Sequence, residues 1–345
     1  MAGCKVNRYV DILLAKEVPG KRHHALQFFE WAVLLYVLLS TIYIFCFWGR
    51  LVNPVPMLTG RAGIVALTLA LWVAYRKWPC RLTMMLRVTA QLCLLGWWYP
   101  DTYELNRWMP NLDHIFASWE QALFGCQPAL LLCQHYSSPL LSEALSMGYV
   151  SYFPMIGAVA LYYFCQRYER FSYAAFVILG SFFVFYVIFV ALPVVGPQFY
   201  YAAVGQEQIA QGVFPNLHDY FLTHQEALPA PGLEGGFFHQ LLITAHQAGE
   251  RPTAAFPSSH MGVCTILLWL AAETRSKNLF FSLLPLAVLM FFATFYIQAH
   301  YVIDAIAGVF TGTGLYFLMR WIHHRWGKKE ILTPQNVTTP RPQNP

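Results

Sequence analysis

The chain has 345 residues, of which 57% are apolar and 17% aromatic against only 11% charged, with a formal net charge of +5. Soluble domains carry roughly a quarter charged residues, so this composition excludes an ordinary soluble globule. The small positive excess is no nucleic-acid footprint, because the basic residues are accounted for by membrane topology.

Apolar blocks long enough to cross a hydrocarbon layer of about 30 Å recur at 26–48, 57–75, 82–99, 146–165, 173–192, 259–272, 279–298 and 301–322. They predict an all-α polytopic membrane protein with about eight transmembrane helices. Arg61 and Arg87 interrupt the second and third blocks. The sixth is short unless the Pro-Ser-Ser turn before it lies at membrane depth. The first block is too long for a signal peptide, is flanked by Trp48 and Arg50, and lacks a small-residue cleavage site, so it is read as an anchor.

Charge sorts the connections. Lys5, Arg8, Lys16, Lys21 and Arg22 precede the first block; Arg76, Lys77 and Arg81 join the second and third. Arg167 with Arg170, Arg275 with Lys277, and Arg320, Arg325, Lys328 and Lys329 follow at alternate connections. By the positive-inside rule these are cytoplasmic, and so are both termini. The loops 101–145 and 193–257, where acids such as Asp101, Glu104, Asp113, Glu120, Glu143, Glu207 and Glu250 outnumber Arg107 and Arg251, face the periplasm or a lumen.

Two motifs fall on that outer side. In AAFPSSHMGV (254–263), Pro257, Ser258 and Ser259 look like a helix start, with Ser258 as N-cap and His260 in the first turn. Such a terminus suits a phosphate. In ATFYIQAHYVIDAIAG (293–308), His300 and Asp304 stand four apart at the start of the eighth block, on one helix side. A carboxylate there can hold the tautomer of a ring that serves as nucleophile. One histidine at a membrane boundary is ordinarily a hydrogen-bonded boundary residue. Two at outer helix ends point to use, since ionisable groups at membrane depth are costly.

AFPSSHMG and AHYVIDAIAG resemble the paired histidine motifs of the type 2 phosphatidic acid phosphatase superfamily, integral membrane enzymes with a six-helix core acting on lipid phosphates. Within it, the chain is most similar to the inositol phosphorylceramide synthase branch. NLDHIFASWEQALFGCQP (111–128) resembles that branch's short Leu-Asp and Phe-Gly element. The resemblance covers roughly 82–322 as a catalytic core, leaving a cytoplasmic segment 1–25, two added N-terminal helices within 26–78, and a cytoplasmic tail at 323–345. It implies that His300 is the nucleophile, Asp304 its orienting partner and His260 the acid that protonates the departing lipid alcohol, with no metal or cofactor. The phosphatase members carry a Lys-x6-Arg-Pro motif and a Ser-Arg pair that grip phosphate oxygens. Neither occurs here, and Thr294 stands where the Arg would fall. A phosphodiester bears one charge where a monoester bears up to two, so fewer fixed cations suit a diester donor.

Other candidates carry less. Ser258, Ser259 and Thr294 offer hydroxyls to a phosphate, though capping alone also explains the serines. Arg251 is the nearest cation to His260 in sequence. His218, Asp219, His224, His239 and His246 match no zinc spacing, and with Pro229, Pro231, Gly235 and Gly236 their loop reads as a lid. The eight cysteines are scattered, and whether Cys126 pairs with Cys133 stays open. Gly308 and Gly312 form a small face on the last helix. Asn336-Val337-Thr338 matches a glycosylation acceptor within a Pro- and Asn-rich tail read as disordered. Three functions remain open: head-group transfer from a phospholipid donor to a lipid alcohol acceptor, lipid phosphate hydrolysis, and proton-coupled transport. Against the last, the chain shows no inverted repeat.

Overall fold

The computed structural model describes residues 13–17, 25–135 and 138–327. Lys5, Arg8, Lys21, Arg22, Lys328, Lys329 and the Asn336-Val337-Thr338 acceptor lie outside the described residues. Among the described residues the regular structure is helical throughout.

Helices α1 (Phe28–Cys46) and α2 (Pro54–Lys77) form an N-terminal pair, followed by α3 (Arg81–Cys93) and α4 (Leu95–Asn106). Short helices α5 (Asp113–Phe124) and α6 (Pro128–His135) lead to α7 (Pro139–Val150), α8 (Tyr152–Gln166) and α9 (Phe171–Ala191). The long connection then carries α10 (Pro197–Val204), α11 (Gln206–Ala210) and α12 (Phe237–Gly249). Helices α13 (Ser259–Glu273), α14 (Lys277–Tyr296) and α15 (Val302–Gly327) complete the order. Local chemistry sets many of these bounds. Prolines open α2, α6, α7 and α10, where a missing N–H costs nothing; Ser258 and Ser276 cap α13 and α14 by accepting from the amides of Met261 and Leu279.

The protein is an all-α polytopic membrane protein. Among the described residues five stretches are long and apolar enough to cross a membrane: α1, α2, α9 with the turn before it, α14 and α15; the α7–α8 pair, bent by 48°, makes a sixth if it is one span. This is fewer than the eight blocks predicted. The third block stops at Leu94, and its continuation α4 contains Pro100 and buries Asp101, Thr102 and Asn106 against protein, so it is no lipid-facing stretch. The sixth, α13, has only 15 residues, about 22 Å of helix at 1.5 Å per residue.

Helix α9 is buried around most of its circumference, and the bundle is arranged about it. Spans at the periphery turn large apolar side chains outward, among them Trp31, Leu35 and Phe45 on α1 and Phe310 and Phe317 on α15. Helices α13 and α15 meet backbone to backbone. A Cβ at Gly312 would collide with the Gly262 carbonyl, and one at Gly308 with the Ser258 carbonyl, so the two motif-bearing helices approach as closely as helices can.

The arginines that interrupt the second and third blocks are staples. Arg61 makes two bonds to Asp101 (3.0 and 2.6 Å) and one to the Ser40 hydroxyl (2.9 Å), joining α1, α2 and α4. Arg87 forks onto Glu30, with Nε 2.8 Å from Oε1 and Nη2 on Oε2, joining α3 to α1. All four side chains are buried. Removing one member of such a pair leaves an uncompensated charge and costs about 3–5 kcal/mol, whereas replacing both with apolar residues is often neutral. Arg87→Leu is therefore expected to lower the thermal unfolding temperature of the detergent-solubilised protein sharply, and Glu30→Leu combined with Arg87→Leu to recover most of the loss. A double variant no more stable than the single would show that the pair is not what makes Arg87 necessary.

Candidate active site

His260 lies in the first turn of α13, its ring stacked on Tyr149 and tilted against Tyr152, each 4.6 Å away at the bend between α7 and α8. His300 lies before α15 rather than on it, in the turn that follows α14. Its Nδ1 is 2.8 Å from the Ala255 carbonyl and its Nε2 is 3.2 Å from His260 Nδ1. A carbonyl only accepts, so His300 Nδ1 carries the proton and Nε2 presents a lone pair. The hydrogen-bond network then makes His260 Nδ1 the donor between the rings. Burial pushes the His300 imidazole down to about 4, against the Ala255 bond and the charge of Glu250, which both favour the cation. At neutral pH the ring is uncharged.

Asp304 does not hold His300 in the manner the spacing implied. Its Oδ2 is 3.8 Å from His300 Nδ1, beyond hydrogen-bond reach, and accepts instead from the Tyr301 amide at 2.9 Å. The spacing of four presumes a helix through both residues; because α15 starts at Val302, the Asp304 carboxylate caps the Tyr301 amide just ahead of the helix and the Ala255 carbonyl holds the ring. The Asp304 carbonyl accepts from the Ser258 amide at 3.0 Å, tying the two motifs together.

Two carboxylates that sequence reasoning counted only as outer-loop charge complete the frame. Glu120 on α5 is fully buried and accepts from the amides of Val302 (2.9 Å) and Ile303 (3.1 Å). With Asp304 on Tyr301, the successive amides that open α15 all end on carboxylates, where helix polarity favours negative charge. Asp113 accepts from the amides of Val195 and Gly196, from Asn111 and from the Tyr301 hydroxyl. Gly196, at φ +87°, passes so close to the Ala299 carbonyl that no side chain fits. Neither Asp113 nor Glu120 belongs to a candidate span, and burial pushes their carboxyls up to about 6 and about 7 against these amide bonds.

A cavity of about 10 Å³ adjoins the ring pair, lined by Tyr99, Glu250, Thr253, Ser259, His260 and His300 with three alanines. That is the space of about one water. Ser259 lines this cavity; Ser258 is buried and caps α13. Thr294 and Arg251 do not line it. The Thr294 hydroxyl donates to Phe291 O within its own helix while its carbonyl accepts from the His300 amide, and Arg251 Nη1 donates to the Glu250 carbonyl.

The histidines of the long connection are dispersed. His224 stacks on Tyr220, His239 meets the Ala230 carbonyl at 3.2 Å, and His246 contacts Tyr149. Among the described residues no three His, Cys, Asp or Glu side chains are placed to hold a metal. Glu143 on α7 accepts from the amides of Phe238 and His239, fastening the start of α12. Cys126 and Cys133 are separate thiols.

A membrane-embedded helical bundle with two histidines meeting at helix ends defines a class of integral membrane protein, and comparison places this chain within it. The chain belongs to the PAP2 superfamily, whose model matches residues 114–318, more than half of the sequence and inclusive of both histidine motifs. Members are generally enzymes acting on phosphate esters, which supports a lipid phosphatase or phosphotransferase type of activity. No curated protein and no solved structure matches the chain. The match begins at His114, so α1 to α4 lie outside it.

Glu120→Ala strips the cap from Val302 and Ile303. It is expected to cost about 1–3 kcal/mol of stability, the penalty for leaving buried amides unsatisfied, and to lower turnover by about tenfold to a hundredfold through displacement of the His300 turn. Glu120→Gln, which keeps one acceptor, should fall between. Thermal unfolding and turnover, measured on the same preparations, check both; a Glu120→Ala protein with unchanged turnover would contradict the framing role.

Proposed function

We propose that the protein is a membrane phosphotransferase that moves a phospho-head group from a glycerophospholipid to a lipid alcohol. On the resemblance of its two motifs, the group is phosphoinositol and the acceptor ceramide-like. The observation that carries the reading is the contact of His300 Nε2 with His260 Nδ1 at 3.2 Å, with the far nitrogen of His300 fixed on Ala255. One ring presents a lone pair and the other a proton to the same point.

In the first half-reaction the phosphorus enters between the rings. The His300 Nε2 lone pair forms the N–P bond, the P–O bond to the diacylglycerol oxygen breaks, and His260, entering as the imidazolium, passes a proton to that oxygen and is left neutral. In the second, the acceptor hydroxyl gives its proton to His260, its oxygen forms the new P–O bond, and the N–P bond breaks. Asp304 holds the turn that carries His300. Ser259, beside His260 at the N-terminus of α13, supplies a hydroxyl to a phosphate oxygen; Ser258 serves the cap. The α15 terminus is already occupied by carboxylates, which leaves the α13 terminus as the one suited to the phosphate. Arg251 and Thr294, assigned to substrate from sequence, have no part in this scheme. In this scheme the connection between α9 and α13 serves as the lid, and the charge pattern of the loops supports a site on the periplasmic or lumenal side with both termini cytoplasmic.

The absence of any Arg or Lys from the cavity lining favours a singly charged donor over a phosphomonoester. The purified protein in mixed micelles with phosphatidylinositol and a ceramide is expected to release diacylglycerol and form an inositol-phosphate-bearing ceramide, seen by mass spectrometry. His300→Ala should abolish this, and His260→Ala should slow it by about 10²- to 10⁴-fold, the usual worth of a general acid–base. Free phosphate from phosphatidic acid, with no dependence on an acceptor, would instead make the protein a phosphatase.

A further inference from the structure

We propose that Glu250 sets donor selectivity at this site by discriminating against doubly charged phosphomonoesters. The inference rests on the phosphotransferase reading and adds to it a residue that neither motif contains.

Glu250 stands at the end of α12 and lines the same cavity as His260 and His300. Its carboxylate is held from two sides. The Tyr99 hydroxyl of α4 donates to Oε1 at 3.2 Å and the Gln198 amide of α10 donates to the same oxygen at 3.0 Å. Both anchors are neutral, so the negative charge is fixed in place without being cancelled. The neighbouring Arg251 is the cation that sequence would have offered for neutralisation, yet its Nη1 turns to the Glu250 main-chain carbonyl and its side chain is not part of the cavity wall. A phosphate entering this space therefore meets the Glu250 carboxylate and no Arg or Lys among the lining residues.

Coulomb repulsion scales with the product of the charges. A dianionic monoester is repelled twice as strongly as a monoanionic diester, and the difference grows as water leaves the site. A site for phosphomonoesters would gain from a cation at this place. For a diester donor the carboxylate has a compensating use. Attack by His300, which keeps its Nδ1 proton on Ala255, yields a phosphorylated imidazolium, and the Glu250 charge favours the cationic form of that ring. One carboxylate thus raises the barrier for the wrong donor and stabilises the intermediate of the right one.

The test uses full-length protein in mixed micelles at pH 8, where a phosphomonoester with its second pKa near 6 is almost entirely dianionic. Phosphate release from phosphatidic acid and diacylglycerol release from phosphatidylinositol are each measured as kcat/KM, and their ratio is the readout, because a general structural defect moves both together. Glu250→Gln keeps the shape and an acceptor for the Tyr99 hydroxyl but removes the charge. It is expected to raise the monoester-to-diester ratio by about tenfold, the scale of one partly screened charge interaction. Glu250→Asp retains the charge, and its ratio should stay within about threefold of wild type on the same electrostatic argument. A Glu250→Gln ratio equal to wild type, with acceptor-dependent transfer intact, overturns this inference and leaves the phosphotransferase reading standing. A wild type that hydrolyses phosphatidic acid and transfers nothing from the diester overturns that reading. Should Glu250→Gln not purify as a monodisperse species, a tenfold rise in Glu250→Asp would by itself contradict charge as the cause.

Discussion

The amides of Tyr301, Val302 and Ile303 end on the carboxylates of Asp304 and Glu120, and the position of His300 depends on that arrangement. A helix that begins inside an apolar bundle must satisfy its first N–H groups without water. Here the acceptors come from the helix itself and from α5, so the N-terminus of α15 is fixed in position and direction. His300 leaves the turn immediately before it, with one nitrogen on the Ala255 carbonyl and the other on His260. Asp113, on the same short helix as Glu120, ties the 195–196 backbone and the Tyr301 hydroxyl to the frame. The close passage of α13 along α15 at Gly308 and Gly312 then brings the second histidine to the first.

The buried charges of the N-terminal helices obey the same necessity. Arg61 with Asp101 and Arg87 with Glu30 form buried ion pairs inside the bundle and link the N-terminal helices to one another. An unpaired charge there would be prohibitive; as forked pairs the four side chains specify which helix face meets which. Polarity is concentrated at two levels, in ion pairs that assemble α1 to α4 and in carboxylate caps that assemble the site.

Much of the helical organisation and the core of the site could be read from the sequence, because both are local. Apolar blocks mark the long spans, and the Pro-Ser-Ser-His and His-Tyr-x-x-Asp patterns mark two histidines near helix starts, whose rings the structure brings together. What could not be read depends on contacts distant in sequence. Glu120 meets an amide 182 residues further on, and nothing near it distinguishes it from a solvated loop acid. Arg87 looked like a flaw in a span because its partner lies 57 residues earlier. Asp304 sits off the ring for a local reason: a spacing of four implies a shared helix face only if the helix runs through both residues, and here α15 begins between them, leaving Oδ2 3.8 Å from His300 Nδ1. Glu250 reads in sequence as one outer-loop acid among several, and Arg251 as the nearest cation to His260, whereas the fold sets Glu250 and not Arg251 in the cavity wall.

The central claim is that His300 carries the phosphoryl group between donor and acceptor. The most direct measurement is a single turnover of the purified protein with a donor labelled at phosphorus and no acceptor, quenched in base and followed by peptide mapping of the label. The account predicts an acid-labile, base-stable phosphorylated adduct on His300 that disappears when the lipid alcohol is added. Turnover that proceeds with no adduct on His300, or with the label on another residue, would contradict it.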